Sequence, residues 1–271
     1  MSALAVPSAA APRGAAAKTF LAMGRRDLVV VGRELPSVVM QTAMQPLFLA
    51  FVLGRVLPEL GLARPRLADV LLPGIVGLTL VLTALQAVAL PLVLEFGYTK
   101  EIEDRLLAPL PVTLVGVEKI VFAALRGLVG GLIIFPLARL IIGWNNVAVS
   151  SGHVALFLLF CAFAALIGSS LGLVLGTLVP PKHISVMFAI IFTPVVFTGC
   201  IQYPWASLAP LEWFKVLTLF NPMTYASEGL RGSLVPHVPH MQWWIAALAA
   251  SGWIAGFILL GLRGFRRRSV D

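Results

Sequence analysis

Six long apolar runs constrain this chain more than any other feature. They cover approximately residues 35–57, 70–94, 120–142, 153–179, 184–201 and 243–262. A helix crossing the hydrocarbon core of a bilayer needs about 20 such residues, and all but the fifth, which is short and holds Pro194, meet that length comfortably. In lipid the backbone must satisfy its own hydrogen bonds, so only helices and closed barrels span. Barrel strands are about ten residues long and alternate in polarity; these runs are too long and too uniformly apolar. The fold class is therefore an all-α polytopic membrane protein with six transmembrane helices. Charged residues make up only 12% of the chain, about half the share that clothes a soluble domain, which excludes a soluble enzyme.

Charge sets the orientation. With both termini inside, thirteen Lys and Arg fall on inner segments and six on outer ones, Arg126 being inside the third run. The positive-inside rule then places both ends in the cytoplasm. The net charge of +8 is concentrated at those ends: residues 1–34 carry five bases and two acids, residues 263–271 four bases and one acid. Four arginines abutting a span (Arg263, Arg266, Arg267, Arg268) read as an anchor to an anionic leaflet, so no nucleic-acid partner is expected. The Ala/Pro-rich start lacks the apolar core of a signal peptide and reads as a disordered cytoplasmic tail over 1–17. Cys161 and Cys200 sit in apolar surroundings without metal-ligand spacing, and His237 with His240 has no third ligand nearby; no metal site is expected.

Between the runs, four segments carry polar chemistry. Residues 18–34 are too charged to span and too apolar to be loose, which suits an interfacial helix on the inner leaflet, although an extended end of the first span has the same composition. Glu95 to Pro111 holds six charges up to Arg105, then Leu106 and Leu107, and is stopped by Pro109 and Pro111. It reads either as an amphipathic helix that docks on a soluble partner or as a solvated loop that maintains topology. Within the spans, Gln41 and Gln45 share one face, as do Thr79, Thr83 and Gln86; they either line a substrate path or hydrogen-bond between helices. Gly168, Gly172 and Gly176 form a stripe suited to close helix packing. The outer segment 203–239 is rich in aromatics (Trp205, Trp213, Phe214, Phe220, Tyr225) and broken by Pro210 and Pro222, which suits short re-entrant or interfacial helices. Glu228 and Arg231 have the i, i+3 spacing of an ion pair.

Two absences bear on mechanism. No Asp or Glu lies in the middle of a predicted span, where ion-coupled transporters carry ionisable groups. No GxxxxGK[ST] phosphate loop occurs, so any ATP-driven work must draw on another chain. No catalytic residue is assigned; an integral-membrane enzyme lacks candidates, since the four His lie near or beyond the predicted span ends.

The chain resembles the membrane subunit of type-2 ABC exporters, the group that includes drug-efflux, nodulation-factor and polysaccharide-export permeases. The resemblance rests on Leu71-Leu72-Pro73-Gly74-Ile75, on Asp104-Arg105-Leu106-Leu107-Ala108-Pro109, and on Asn221-Pro222-Met223-Thr224-Tyr225 followed by Glu228 and Arg231. It implies one transmembrane domain over 18–271, paired with a second permease copy, identical or sister, above two separate ATP-binding subunits that hold ATP and Mg. It further implies that 95–111 is a coupling helix, with Gly97, Thr99, Glu101, Glu103, Asp104, Arg105, Leu107 and Pro109 as its coupling positions. Here Tyr98 separates Gly97 from Thr99, where the family pattern often has Gly-Thr together. By the same resemblance, 204–232 is the outer re-entrant segment, marked by Asn221, Pro222, Tyr225, Glu228 and Arg231, and 18–34 is the N-terminal interfacial helix. The expected function is a permease subunit of an ATP-driven exporter in a bacterial cytoplasmic membrane, needing no cofactor of its own. Its cargo would be a drug-like amphiphile, lipid or glycolipid moved outward by alternating access. A polysaccharide or oligosaccharide export permease, and a channel or scaffold not driven by ATP, are the alternatives.

Overall fold

A computed structural model describes residues 44–62, 67–96, 112–144, 147, 149–150, 152–180 and 183–268. The expected tail, the interfacial helix, Gln41 and the whole set from Gly97 to Pro109 lie outside the described residues. The described chain is all helical. Residues 44–59 form α1, with a π-helical turn at Val52–Val56. Then come α2 (Leu67–Leu94), α3 (Val112–Ile142), α4 (Val154–Leu178) and α5 (Ile184–Thr198). A 3-10 turn at Trp205–Leu208 precedes α6 (Glu212–Thr218), α7 (Pro222–Leu234) and α8 (Trp243–Arg268).

Four of these helices, α2, α3, α4 and α8, are long and apolar enough to cross a membrane; α5 has only fifteen residues. α3 starts at Val112, eight residues earlier than the apolar run, because Glu118 and Lys119 continue the helix although they interrupt its hydropathy. That start corrects the depth of Arg126, which lies about four turns into α3 rather than two. α8 likewise continues beyond 262 and takes Arg266, Arg267 and Arg268 into its last turn, where cations complement the helix dipole.

α2 is the axis of the bundle. Its residues from Leu71 to Leu85 are buried without a break, the state of a helix that is apolar all round. α3, α4 and α7 enclose it, and α8 closes against α4. The glycine stripe of α4 makes the tightest of these contacts. A Cβ at Gly168 would stand 2.2 Å from the carbonyl oxygen of Val81, and one at Gly172 2.6 Å from that of Leu85. Backbones can approach so closely only where no side chain intervenes. Against this dry interior, α3 and α8 turn Leu132, Leu140, Leu248 and Leu259 outward, an apolar surface that water would penalise and lipid accepts.

The end of the bundle where α2 begins is termed upper here, and the end where it finishes lower. α7 is inserted at the upper end among α2, α4 and α8, and all thirteen of its residues are buried.

Candidate functional site

Two polar clusters, one at each end of α2, contain most of the described chemistry. The upper one is built on α7. Asn221 is its N-cap: the side-chain oxygen accepts from the Met223 amide at 2.9 Å, and Pro222 follows at the first helical position, where a missing N–H costs nothing. From there a polar face climbs the helix at spacings of three and four residues, and it supplies donors to the carbonyls that the end of α5 leaves open. Asn221 Nδ2 donates to Val195 O at 3.1 Å and Thr198 Oγ1 at 2.8 Å. Thr224 Oγ1 donates to Thr198 O at 3.2 Å and Thr218 O at 2.7 Å, and Ser227 Oγ to Gly199 O at 2.6 Å. Arg231 Nη2 donates to Cys200 O at 2.8 Å. Cys200 has φ 52°, in the left-handed region that a non-glycine residue occupies at a cost. That turn aims its carbonyl at the guanidinium.

Glu228 completes the cluster. Glu228 and Arg231 are both fully buried and form the ion pair expected from their spacing. The carboxylate also accepts from two backbone amides, Trp205 N at 2.9 Å through Oε1 and Met241 N at 2.8 Å through Oε2. One buried pair thus joins α7, the turn after α5, the 3-10 turn and the approach to α8. Two more contacts tie this cluster to α2. Arg231 Nη2 reaches Val70 O at 3.4 Å, and His237 Nε2 lies 2.9 Å from Asp69 Oδ2. His237 therefore serves an acidic partner; among the described residues no group of three or more His, Cys, Asp or Glu is placed to hold a metal. Tyr225 donates from its hydroxyl to Leu219 O at 2.8 Å, fixing α6 against α7. On α6 and beside it, Trp213 and Phe220 remain 69% and 70% exposed, while Lys215 Nζ stands 4.2 Å over the Trp205 ring. Thr224 and Ser227 escape a reading by charge, because each is small and neutral; the 3, 3, 4 rhythm from Asn221 to Arg231 is the signal that would find them.

The lower cluster surrounds the end of α2. Glu95, the residue after α2, takes Lys119 of α3 at 2.7 and 2.9 Å. This pair brackets the stretch 97–111 from both sides. Phe96 meets Phe265 of α8 edge-on, ring centroids 5.7 Å apart.

Of the five proposed path residues, Gln41 lies outside the described residues, and the other four are spread over α1 and α2. Thr79 and Thr83 are buried in the α2 packing, Thr79 donating to Ile75 O at 2.9 Å, and Gln45 is exposed on α1. Gln86 opens on a cavity, a groove of about 420 Å³ shared with Leu90 of α2 and Ala189 and Phe192 of α5.

A bundle of long apolar helices with outward-facing leucines, and with a short buried helix at one end, defines a multi-pass α-helical membrane protein. Residues 18–235, well over half of the chain, match the ABC-2 type transporter family. The chain belongs to that family and is its membrane permease domain, which has no ATPase activity itself. Permeases of this kind generally pair with an ATP-binding subunit. No curated protein matches the chain significantly.

Proposed function

We propose that this chain is the permease subunit of an ATP-driven exporter, working as two permease copies over separate ATP-binding subunits. Family membership over 18–235 is the observation that carries the reading. In it α1 and α5 complete six spans as the first and fifth, the upper end faces outward, and both termini lie in the cytoplasm of a bacterial inner membrane. Basic residues at the lower end of α8 support that orientation. The segment from Gly97 to Pro109 couples to the ATPase. Differential binding of ATP to two conformations supplies the energy, since this chain has no phosphate loop.

The groove between α2 and α5, apolar apart from the Gln86 amide, favours a cargo with a large apolar body and few polar atoms. A drug-like amphiphile, lipid or glycolipid fits that description better than a long hydrophilic glycan.

The test replaces Glu103 and Asp104 with Ala or Lys in the whole complex. Loss of ATP-driven transport of a lipophilic dye into inverted vesicles is expected, with or without loss of the ATPase subunit. Coupled transport at the unsubstituted rate would remove the coupling assignment, and an ATP-independent flux would favour a channel.

A further inference from the structure

The lower end of α4 has a deficit that its own sequence creates. In a helix the carbonyls of residues 176 and 177 would accept from the amides of residues 180 and 181. Both positions are proline, and neither has an N–H to give. A helix end left without donors must find them elsewhere. Arg268, at the very end of α8, provides them: its Nη1 stands 3.2 Å from Gly176 O and 3.1 Å from each of Thr177 O and Val179 O. The close approach of α8 that this requires is made at Gly264, where a Cβ would meet Thr177 Oγ1 at 2.7 Å. The guanidinium carbon lies 4.9 Å over the ring of Phe96, the residue that directly precedes the 97–109 segment in sequence. Phe96 is braced by the buried Phe265 ring, and its neighbour Glu95 by Lys119. Arg263, Arg266 and Arg267 of the same basic run are exposed, whereas Arg268 is half-buried at this junction.

We propose that Arg268 is a positioning residue for transport: it locks the lower ends of α2, α4 and α8 into one joint, so that a displacement of the coupling segment moves α4 and α8 together with α2. The inference rests on the reading of 97–109 as the coupling segment. Its physical content is that guanidinium is the one side chain able to give several donors to carbonyls while its flat face lies on an aromatic ring. A lysine can serve some of those acceptors as a point charge and an alanine none.

The experiment measures amide hydrogen exchange in the complete complex with its ATP-binding subunit, in lipid nanodiscs, with and without a non-hydrolysable ATP analogue. In the unsubstituted protein the analogue is expected to change exchange in 97–109 and in the ends of α4 (174–180) and α8 (262–268). In R268A the response of 97–109 persists, while that of α4 and α8 falls roughly fivefold or more, the lower end of an ordinary coupling free energy. R268K restores part of it, and R267A, which removes the same charge from an exposed position, leaves it intact. If R268A does not assemble, F96L reads the same joint by removing only the ring beneath the guanidinium, with the same expected loss in α4 and α8. A normal response of α4 and α8 in R268A or F96L overturns the proposal, as does an equal loss in R267A. Absence of any analogue-dependent change in the unsubstituted chain instead overturns the coupling reading, and this inference with it.

Discussion

Removing both members of the Glu228–Arg231 pair should be far less damaging than the two single removals added together. R231M keeps much of the side-chain volume but leaves a fully buried carboxylate with only the amides of Trp205 and Met241. E228Q leaves a fully buried guanidinium and turns an amide donor toward one of those two N–H groups. An uncompensated buried charge costs about 3–5 kcal/mol, so additive behaviour would put the double variant at roughly 6–10 kcal/mol. The structure predicts less. In E228Q/R231M no charge remains to be desolvated; the residual cost is one amide without an acceptor and the Cys200 carbonyl without its donor. Together these come to about 2–6 kcal/mol. Equilibrium unfolding in mixed micelles of the full chain, run as a double-mutant cycle, measures the difference. The coupling energy, from the middles of those ranges, should then be on the order of 4 kcal/mol. Singles that each cost under about 1 kcal/mol, or a double equal to their sum, would refute the assignment of this pair as the electrostatic centre of the upper end.

The glycine stripe gives a test of packing with an internal control. G168A places a methyl group against the Val81 carbonyl and should cost about 1–3 kcal/mol in the same unfolding assay. G256A, where a Cβ meets nothing within 4 Å, should be neutral or stabilising by up to about 1 kcal/mol; equal effects would contradict the contact. Cys200 gives a test of burial. It is fully buried, in a turn whose carbonyl is held by Arg231, and a thiol that a reagent cannot reach is inert. Maleimide labelling resolved by peptide mass should be negligible in the folded protein at pH 7 and quicken where R231M removes that donor and loosens the turn. Fast labelling of the folded protein at pH 7 would show the turn to be open.

The apolar runs made the spans legible because bilayer thickness imposes a length that hydropathy records directly; α2 and α4 fall within a few residues of their runs. The run failed at α3 for an instructive reason. Glu118 and Lys119 read as a boundary when taken singly, but Lys119 is neutralised by Glu95 across the helix pair, and a window along one segment cannot contain that partner. Arg268 shows the same limit. Its position in a basic terminal run marked it as one of four leaflet anchors, whereas its hydrogen bonds go to the end of α4, which Pro180 and Pro181, distant in sequence, leave short of donors. The Glu228–Arg231 pair was legible because both partners lie on one helix at contact spacing. The amides of Trp205 and Met241 that complete it come from loops whose paths no local rule determines. Thr79 and Thr83 shared a face as expected, but that face is the packing surface of a helix enclosed on all sides.

The two clusters sit at opposite ends of the same enclosed helix. From Asp69 to Phe96, α2 and its continuation span about 42 Å at 1.5 Å per residue. Their central portion cannot bend independently, because Leu71 to Leu85 are enclosed and α4 touches the backbone at Gly168 and Gly172. If a partner pushes on the segment after Phe96, the displacement therefore cannot dissipate in the middle; it reappears where α2 meets the upper cluster, at Asp69 and Val70. There discrete bonds from His237 and Arg231 act together with the apolar packing of Leu71, Leu72 and Ile75. Discrete bonds break as a set, and packed cores pass between arrangements rather than deforming continuously. A long enclosed helix with the proposed guanidinium joint at one end and a buried ion pair at the other would suit the switching between two states that the proposed alternating access requires.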